Sequence, residues 1–205
     1  MISGVRNVET PHGPARVTLH PVERPRGVLL LGHGAGGGFA APDLRAATAA
    51  AGDAGLHVGL VEQPYRVAGR RAPAPAPQLD AAWLAVVAAL RGELADLPIV
   101  ARGRSSGARV ACRTATATDA VGVLCLAFPV HPPGRPDKDR LTELALPTVP
   151  VLVVAGERDP FGRPPPAPGR RVITVPGDHA LRTAGPRIAT TVAAWLPTVL
   201  GDGTP

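Results

Sequence analysis

A short, unbroken apolar run that stops at or just before a glycine recurs along this chain. Val28–Leu31 ends at Gly32, Val149–Ala155 ends at Gly156, and Pro98–Ala101 runs into Gly103. These runs do not alternate with polar residues, so they read as strands buried on both faces. His57–Val61, Val121–Phe128 and Val172–Val175 repeat the theme. Segments of helical character lie between them. Pro42–Gly52 is Ala-rich, with Pro42 suited to a first turn. Leu79, Trp83, Val86, Val87, Leu90 and Leu94 recur at helical spacing, and Ala108–Ala117 and Pro186–Leu196 supply two further helices. Ahead of all these, Val5–Glu9 and Ala15–His20 alternate weakly around Pro11–Pro14, which predicts a hairpin. Strands alternating with helices over short loops predict an α/β fold: a mostly parallel sheet covered by helices on both faces. We expect one domain over residues 1–205, with the hairpin in 1–25, the core in 26–200 and no lid domain.

Composition tests whether such a chain folds at all. Its 24 glycines and 25 prolines, in 205 residues, approach the level of roughly 25–30% that marks low-complexity chains. Against that, Leu, Ile, Val and Phe make a quarter of the chain, above the level of about 20% typical of disorder. Twelve of the 25 prolines fall in three tracts, 73–77, 129–136 and 160–168, all between predicted elements. The basic excess is almost pure arginine, with Lys138 the one lysine, as GC-rich coding would produce. No run of five basic residues and no aromatic-basic stripe occurs, so no specific nucleic-acid partner is expected. Residues 1–20 lack an apolar core like that of a signal peptide, and no apolar stretch reaches about 18 residues. Cys112 and Cys125 are too few for a disulfide framework and lack metal-site spacing. The expectation is a soluble cytoplasmic protein without metal, organic cofactor or membrane partner. Its oligomeric state is not legible.

Four candidate chemical features sit at predicted strand ends, where reacting groups gather in an open parallel sheet. Gly103-Arg104-Ser105-Ser106-Gly107 matches G-x-S-x-G between a strand and a helix. Such a turn is sharp, so residues two before and two after the nucleophile must be small. Ser105 satisfies this with glycine on both sides, whereas Ser106 would put Arg104 and Ala108 there. Gly32-His33-Gly34-Ala35-Gly36-Gly37-Gly38 admits two readings. Gly32, Gly34 and Gly37 fit a dinucleotide fingerprint, with Glu62 as its ribose-binding acid. The alternative is an oxyanion loop, with the N–H of Ala35 or Gly36 joining that of Ser106. Residues Gly38–Ala41 intervene before a helix can start at Pro42, and Glu62 lies farther on than the roughly 20 residues expected, so the second reading is preferred. Asp159, or Glu157 beside it, and His179 follow the last two strands. The chain order Ser, Asp, His is the one used where a serine nucleophile sits on such a turn. His33, Phe39, Tyr65, Arg66, His131 and Phe161 lie on loops expected to rim a substrate pocket, with His33 also read as a structural loop histidine. Arg66, with Arg70 and Arg71, is a candidate to meet an anionic substrate.

The chain resembles the alpha/beta hydrolases of the compact, dienelactone-hydrolase-like kind, and more narrowly the testis-expressed and non-specific-lethal-complex-like branch. The blocks that carry the resemblance are LGHGAGGG (31–38), EQPYRVAGRR (62–71), RGRSSGARVA (102–111), FPVHPPGRPDKDR (128–140), VLVVAGERDPFG (151–162) and VPGDH (175–179). The resemblance implies Ser105 as nucleophile, Asp159 as acid and His179 as base. Ser106 stands where such proteins often carry Met, and Ala108 where Gly is frequent. The expected function is a serine hydrolase acting on a small-molecule ester, thioester or amide. Some relatives are assembly subunits, so a non-catalytic interaction module on the same fold is the alternative, with a dinucleotide-binding oxidoreductase behind it.

Overall fold

The computed structural model describes residues 4–36, 38–94 and 96–201. The eight strands are β1 (Gly4–Val8), β2 (Ala15–His20), β3 (Gly27–Gly32), β4 (Leu56–Glu62), β5 (Ile99–Arg104), β6 (Ala120–Leu126), β7 (Val151–Gly156) and β8 (Arg170–Val175). They form one sheet in the order β1-β2-β4-β3-β5-β6-β7-β8. The pairings β1 with β2 and β2 with β4 are antiparallel, and the remainder are parallel. The predicted hairpin therefore extends the sheet beyond β4.

Both faces of the central strands are apolar, which is why their sequences do not alternate. On β3, Leu29 and Leu31 join one core with α1 (Pro42–Asp53) and α6 (Gly185–Leu200). Val28 and Leu30 join another beneath α3 (Ala76–Leu94). A third core packs α4 (Ser106–Thr114) on Ala101, Val123, Cys125 and Val153. Leu29, Leu30 and Leu31 are fully buried, and each such side chain contributes about 1.5–3 kcal/mol on burial. Gly59 and Gly122 leave room for neighbours: a Cβ there would meet Leu30 and Trp195 respectively.

The elements depart from expectation in several places, and the helix expected over Ala108–Ala117 spans Ser106–Thr114. The last helix runs through Pro197 to Leu200 rather than stopping at Leu196. Val199 and Leu200 pack against the core, which offsets the hydrogen bond a proline removes. The short helices α2 (Pro64–Val67) and α5 (Leu141–Leu144) are too brief to show periodicity in sequence. And β5 continues past Ala101 to Arg104.

That last extension buries charge at the centre of the molecule. Arg102 has no exposed surface, and its guanidinium donates to the carbonyls of Asp43 (3.3 Å) and Leu44 (3.4 Å) at the start of α1. Arg104 Nε donates to Asp43 Oδ2 at 2.9 Å, and the Asp43 side chain is wholly buried. Desolvation pushes the Arg102 pKa down to about 9 against the opposing pull of Asp43, so the group is still cationic at neutral pH. Asp43 thus balances two guanidiniums on one face of β5. Asp43→Asn leaves Arg102 as an uncompensated buried cation and should cost about 3–5 kcal/mol in urea unfolding. Adding Arg102→Met to that variant should restore part of the loss, because one of the two guanidiniums that Asp43 balances is then gone while Arg104 still lacks its carboxylate partner.

Candidate active site

Ser105 stands alone between the end of β5 and the start of α4, with φ 52° and ψ −111°. A non-glycine residue in that region is uncommon and costs on the order of 1–3 kcal/mol. The surroundings hold it there. Its N–H donates to the Leu126 carbonyl (2.9 Å), and its own carbonyl accepts from Ala108 N–H (3.1 Å) and Arg109 N–H (3.3 Å). The turn closes because Gly103 and Gly107 carry no side chains. A Cβ on Gly103 would overlap the Gly107 carbonyl and the Ala108 nitrogen. One on Gly107 would sit 2.5 Å from the Gly32 carbonyl oxygen and 2.7 Å from that of His33. The G-x-S-x-G register centred on Ser105 is thus a steric requirement.

Loops following β7 and β8 bring two more groups to Ser105. They are stitched together by Glu157 N–H to the Val175 carbonyl and Arg158 N–H to the Gly177 carbonyl, each 2.9 Å. Asp159 has no side-chain exposure. Its Oδ1 accepts from Phe161 N–H (2.9 Å), and both its oxygens face His179 Nδ1, at 3.1 and 2.9 Å. His179 Nε2 lies 2.9 Å from Ser105 Oγ. A carboxylate only accepts, so Nδ1 carries the proton and Nε2 is free to accept from the serine hydroxyl. Phe161 sits edge-on to the His179 ring at 4.5 Å, and Arg104 Nη2 donates to the His179 carbonyl at 3.2 Å. Glu157, the other acid considered, is exposed and takes no part in this array.

The loop after β3 is fixed by two side chains behind it. His33 Nε2 accepts from Gln63 N–H (3.1 Å), so Nδ1 bears the proton and donates to the Gly34 carbonyl (2.8 Å). Burial lowers the His33 pKa, which favours this neutral form. Tyr65 Oη donates to the Ala35 carbonyl at 2.9 Å, and burial raises its pKa, keeping the phenol protonated. The two carbonyls so held belong to the peptides that carry the Ala35 and Gly36 N–H groups. In a trans peptide the carbonyl and N–H point opposite ways, so both N–H directions are set from behind the loop. The helix after this loop begins only at Pro42. Gly37, the third glycine of the dinucleotide fingerprint, lies outside the described residues.

A cavity of about 330 Å³ opens beside Ser105, lined by Ala35, Ser106, Arg109, Arg140 and Phe161, with Pro73, Pro129 and Pro133 completing its wall. Of the six loop residues expected at its rim, Phe161 is there and five are elsewhere. His33 and Tyr65 are buried behind the loop that follows β3. Phe39 packs on the α1/α6 core and edge-on to His33. Arg66 turns back onto the Arg70 carbonyl (3.2 Å). His131 is tied to the Pro132 carbonyl (3.0 Å), while its N–H supports the loop of Phe161 (3.2 Å). In each case a local partner captures the side chain. Sequence reading missed Arg109 and Arg140. The first is detectable as the residue one helical turn beyond Ser105, whereas Arg140 ends an irregular tract with no periodic signal.

No group of three or more His, Cys, Asp or Glu among the described residues is arranged to hold a metal ion. No helix among them is long and apolar enough to cross a membrane. No curated protein matches the chain. Among solved structures, it is similar to an alpha-beta serine hydrolase homologue from Coxiella burnetii (TM-score 0.77, 14% identity, covering 96% of this chain and 98% of that one). It is similar also to XC6422 from Xanthomonas campestris, described as an a/b serine hydrolase without lid (TM-score 0.73, 17% identity, covering 99% and 97%). A third is dienelactone hydrolase from Anabaena variabilis (TM-score 0.72, 18% identity, covering 96% and 97%). At these identities the likeness speaks for the fold. The alpha/beta hydrolase domain family itself matches residues 25–172, from the strand before the glycine loop to β8. Since that match spans most of the sequence, the chain belongs to the alpha/beta hydrolase domain family.

Proposed function

We propose that the chain is a serine hydrolase that cleaves an ester, thioester or amide through an acyl-enzyme. The observation that carries this reading is the unbroken relay from buried Asp159 through His179 to Ser105 Oγ, with both outer contacts at 2.9 Å. Ser105 attacks the substrate carbonyl while His179 Nε2 takes its proton. His179 then gives that proton to the leaving group, and Asp159 holds the ring and stabilises the imidazolium. The N–H groups of Ala35 and Ser106 receive the oxyanion, Ser106 from the first turn of α4, where the helix dipole favours negative charge. Water repeats the sequence to release the acid. On the HPPG and GERDPFG blocks we assign the chain to the testis-expressed and non-specific-lethal-complex-like branch. A cytoplasmic setting fits Cys112 and Cys125, which are free although their sulfurs lie 3.5 Å apart.

A fluorophosphonate probe tests the reading directly. Wild type should be labelled and Ser105→Ala should not, and Ser105→Ala should lose turnover by about 10⁴-fold or more. Folded but unlabelled wild type would point instead to a non-catalytic interaction module.

Tyr65→Phe removes one hydrogen bond behind the oxyanion loop, an interaction of about 0.5–1.5 kcal/mol. We expect kcat to fall roughly three- to tenfold while KM moves little, because the affected N–H groups act on the developing oxyanion.

The histidine behind the same loop gives a pH signature. The folded His33 pKa lies below the ordinary 6.5 of an exposed histidine. As pH falls below 6.5, the unfolded chain takes up a proton that the folded one refuses, so stability drops; above 6.5 this contribution is constant. His33→Gln should flatten the decline of unfolding free energy on the acid side. His57, whose pKa burial also lowers, contributes a residual slope of the same sign.

A further inference from the structure

Three arginines and two carboxylates form a cluster that meets the cavity at Ser105 through Arg109 and Arg140. Arg109 clasps Glu143 with two hydrogen bonds, Nε to Oε2 at 2.8 Å and Nη2 to Oε1 at 2.5 Å. Arg113 forks onto Asp80 with two bonds of 2.7 Å and reaches Glu143 with a third of the same length. Both carboxylates are thereby committed. Arg140 is left over: among the described residues its guanidinium has no ion-pair or hydrogen-bond partner, although it lines the cavity and is partly buried.

Its position is not casual. Arg140 N–H donates to the Val130 carbonyl at 2.6 Å, and its own carbonyl accepts from Glu143 N–H (3.0 Å) and Leu144 N–H (3.4 Å). The backbone is thus pinned on both sides where the proline tract enters α5. Desolvation, reinforced by the charge of Arg109, pulls the Arg140 pKa below that of a free guanidinium, with Glu143 opposing. A cation in that condition is stabilised by an incoming anion. The group carries a net single positive charge, three guanidiniums against two carboxylates. One excess charge with the planar fork of arginine suits a monoanionic carboxylate, which it meets with two parallel hydrogen bonds. Phe161 and the prolines give the rest of the wall an apolar surface, which suits a short hydrocarbon spacer.

We infer that Arg140 is a substrate-recognition residue that binds a carboxylate, so that the preferred substrate is an acyl compound bearing a free carboxylate separated from the scissile carbonyl by a short apolar chain. This rests on the hydrolase reading for the word substrate, but the binding site stands on its own geometry. It also moves anion recognition from Arg66, Arg70 and Arg71, where the sequence suggested it and which do not line this cavity, to Arg140.

The test separates the two readings by measuring binding without turnover. Monomethyl adipate and its neutral counterpart dimethyl adipate are titrated into Ser105→Ala protein by calorimetry, and into the same protein carrying Arg140→Gln or Arg140→Lys. The monoanion should bind at least about tenfold more tightly than the diester. That preference should vanish in Arg140→Gln, survive in part in Arg140→Lys, and weaken as salt is raised. Thermal melts confirm that each variant is folded. Equal affinity for the two esters, or a preference that persists in Arg140→Gln, overturns the inference. Absence of fluorophosphonate labelling in wild type overturns the hydrolase reading and leaves this binding result to be judged separately.

Discussion

Three backbone segments meet at van der Waals distance beneath Ser105, and the rest of the site is organised around that meeting. The Gly103 and Gly107 main chains touch, and Gly107 in turn lies against the carbonyls of Gly32 and His33. The first contact forces the chain to reverse within one residue, so Ser105 takes a left-handed conformation. The second presses α4 onto the end of β3, so the N–H of Ser106 and the loop at Ala35 come to one place. A methyl group at either glycine pushes these layers apart. It would displace Ser105 and the proposed oxyanion donors together, since both hang from the same contact.

The buried charges follow from the same geometry. With Ala101 and Gly103 directed toward α4, Arg102 and Arg104 must face α1, because successive side chains alternate across a strand. A cation there needs an anion, and Asp43 supplies it from the first turn of α1. Arg104 then reaches on to the His179 carbonyl. The residue just before Ser105 thus links α1, β5 and the loop that carries the proposed base. A charge pair of this kind contributes little net stability compared with an apolar replacement. What it adds is register, since both guanidiniums find their acceptors at the start of α1.

Much of this was legible in the sequence for identifiable reasons. Strands buried on both faces leave unbroken apolar runs, and β3, β4, β6 and β7 were found within one or two residues of their limits. Ser105, Asp159 and His179 could be picked out because each follows a strand end and their order is restrictive. The end of β5 was obscured because Arg102 and Arg104 look like surface residues, and nothing local to them announces a partner 59 and 61 positions away at Asp43. The pocket rim was the least legible part. Whether a loop side chain faces a cavity depends on which neighbour captures it first. For His33, Tyr65, Arg66 and His131 that neighbour is a main-chain carbonyl one to thirty residues distant, which no pattern of residue types encodes.

The arginine excess takes on a different meaning once its partners are seen. A chain with almost no lysine and a pI near 10.8 invites a search for a polyanion. Yet the arginines with the most specific surroundings point inward or along the surface. Arg102 and Arg104 serve Asp43, Arg109 and Arg113 serve Glu143 and Asp80, and Arg91 bonds the Thr118 carbonyl at 2.6 Å. In these places a planar fork with several donors does what a lysine ammonium cannot, because it satisfies two acceptors in fixed directions at once. GC-rich coding would account for the abundance of arginine. It does not explain why Arg102 is tolerated at the centre of the sheet, where only the Asp43 carboxylate and two main-chain carbonyls make its burial sustainable.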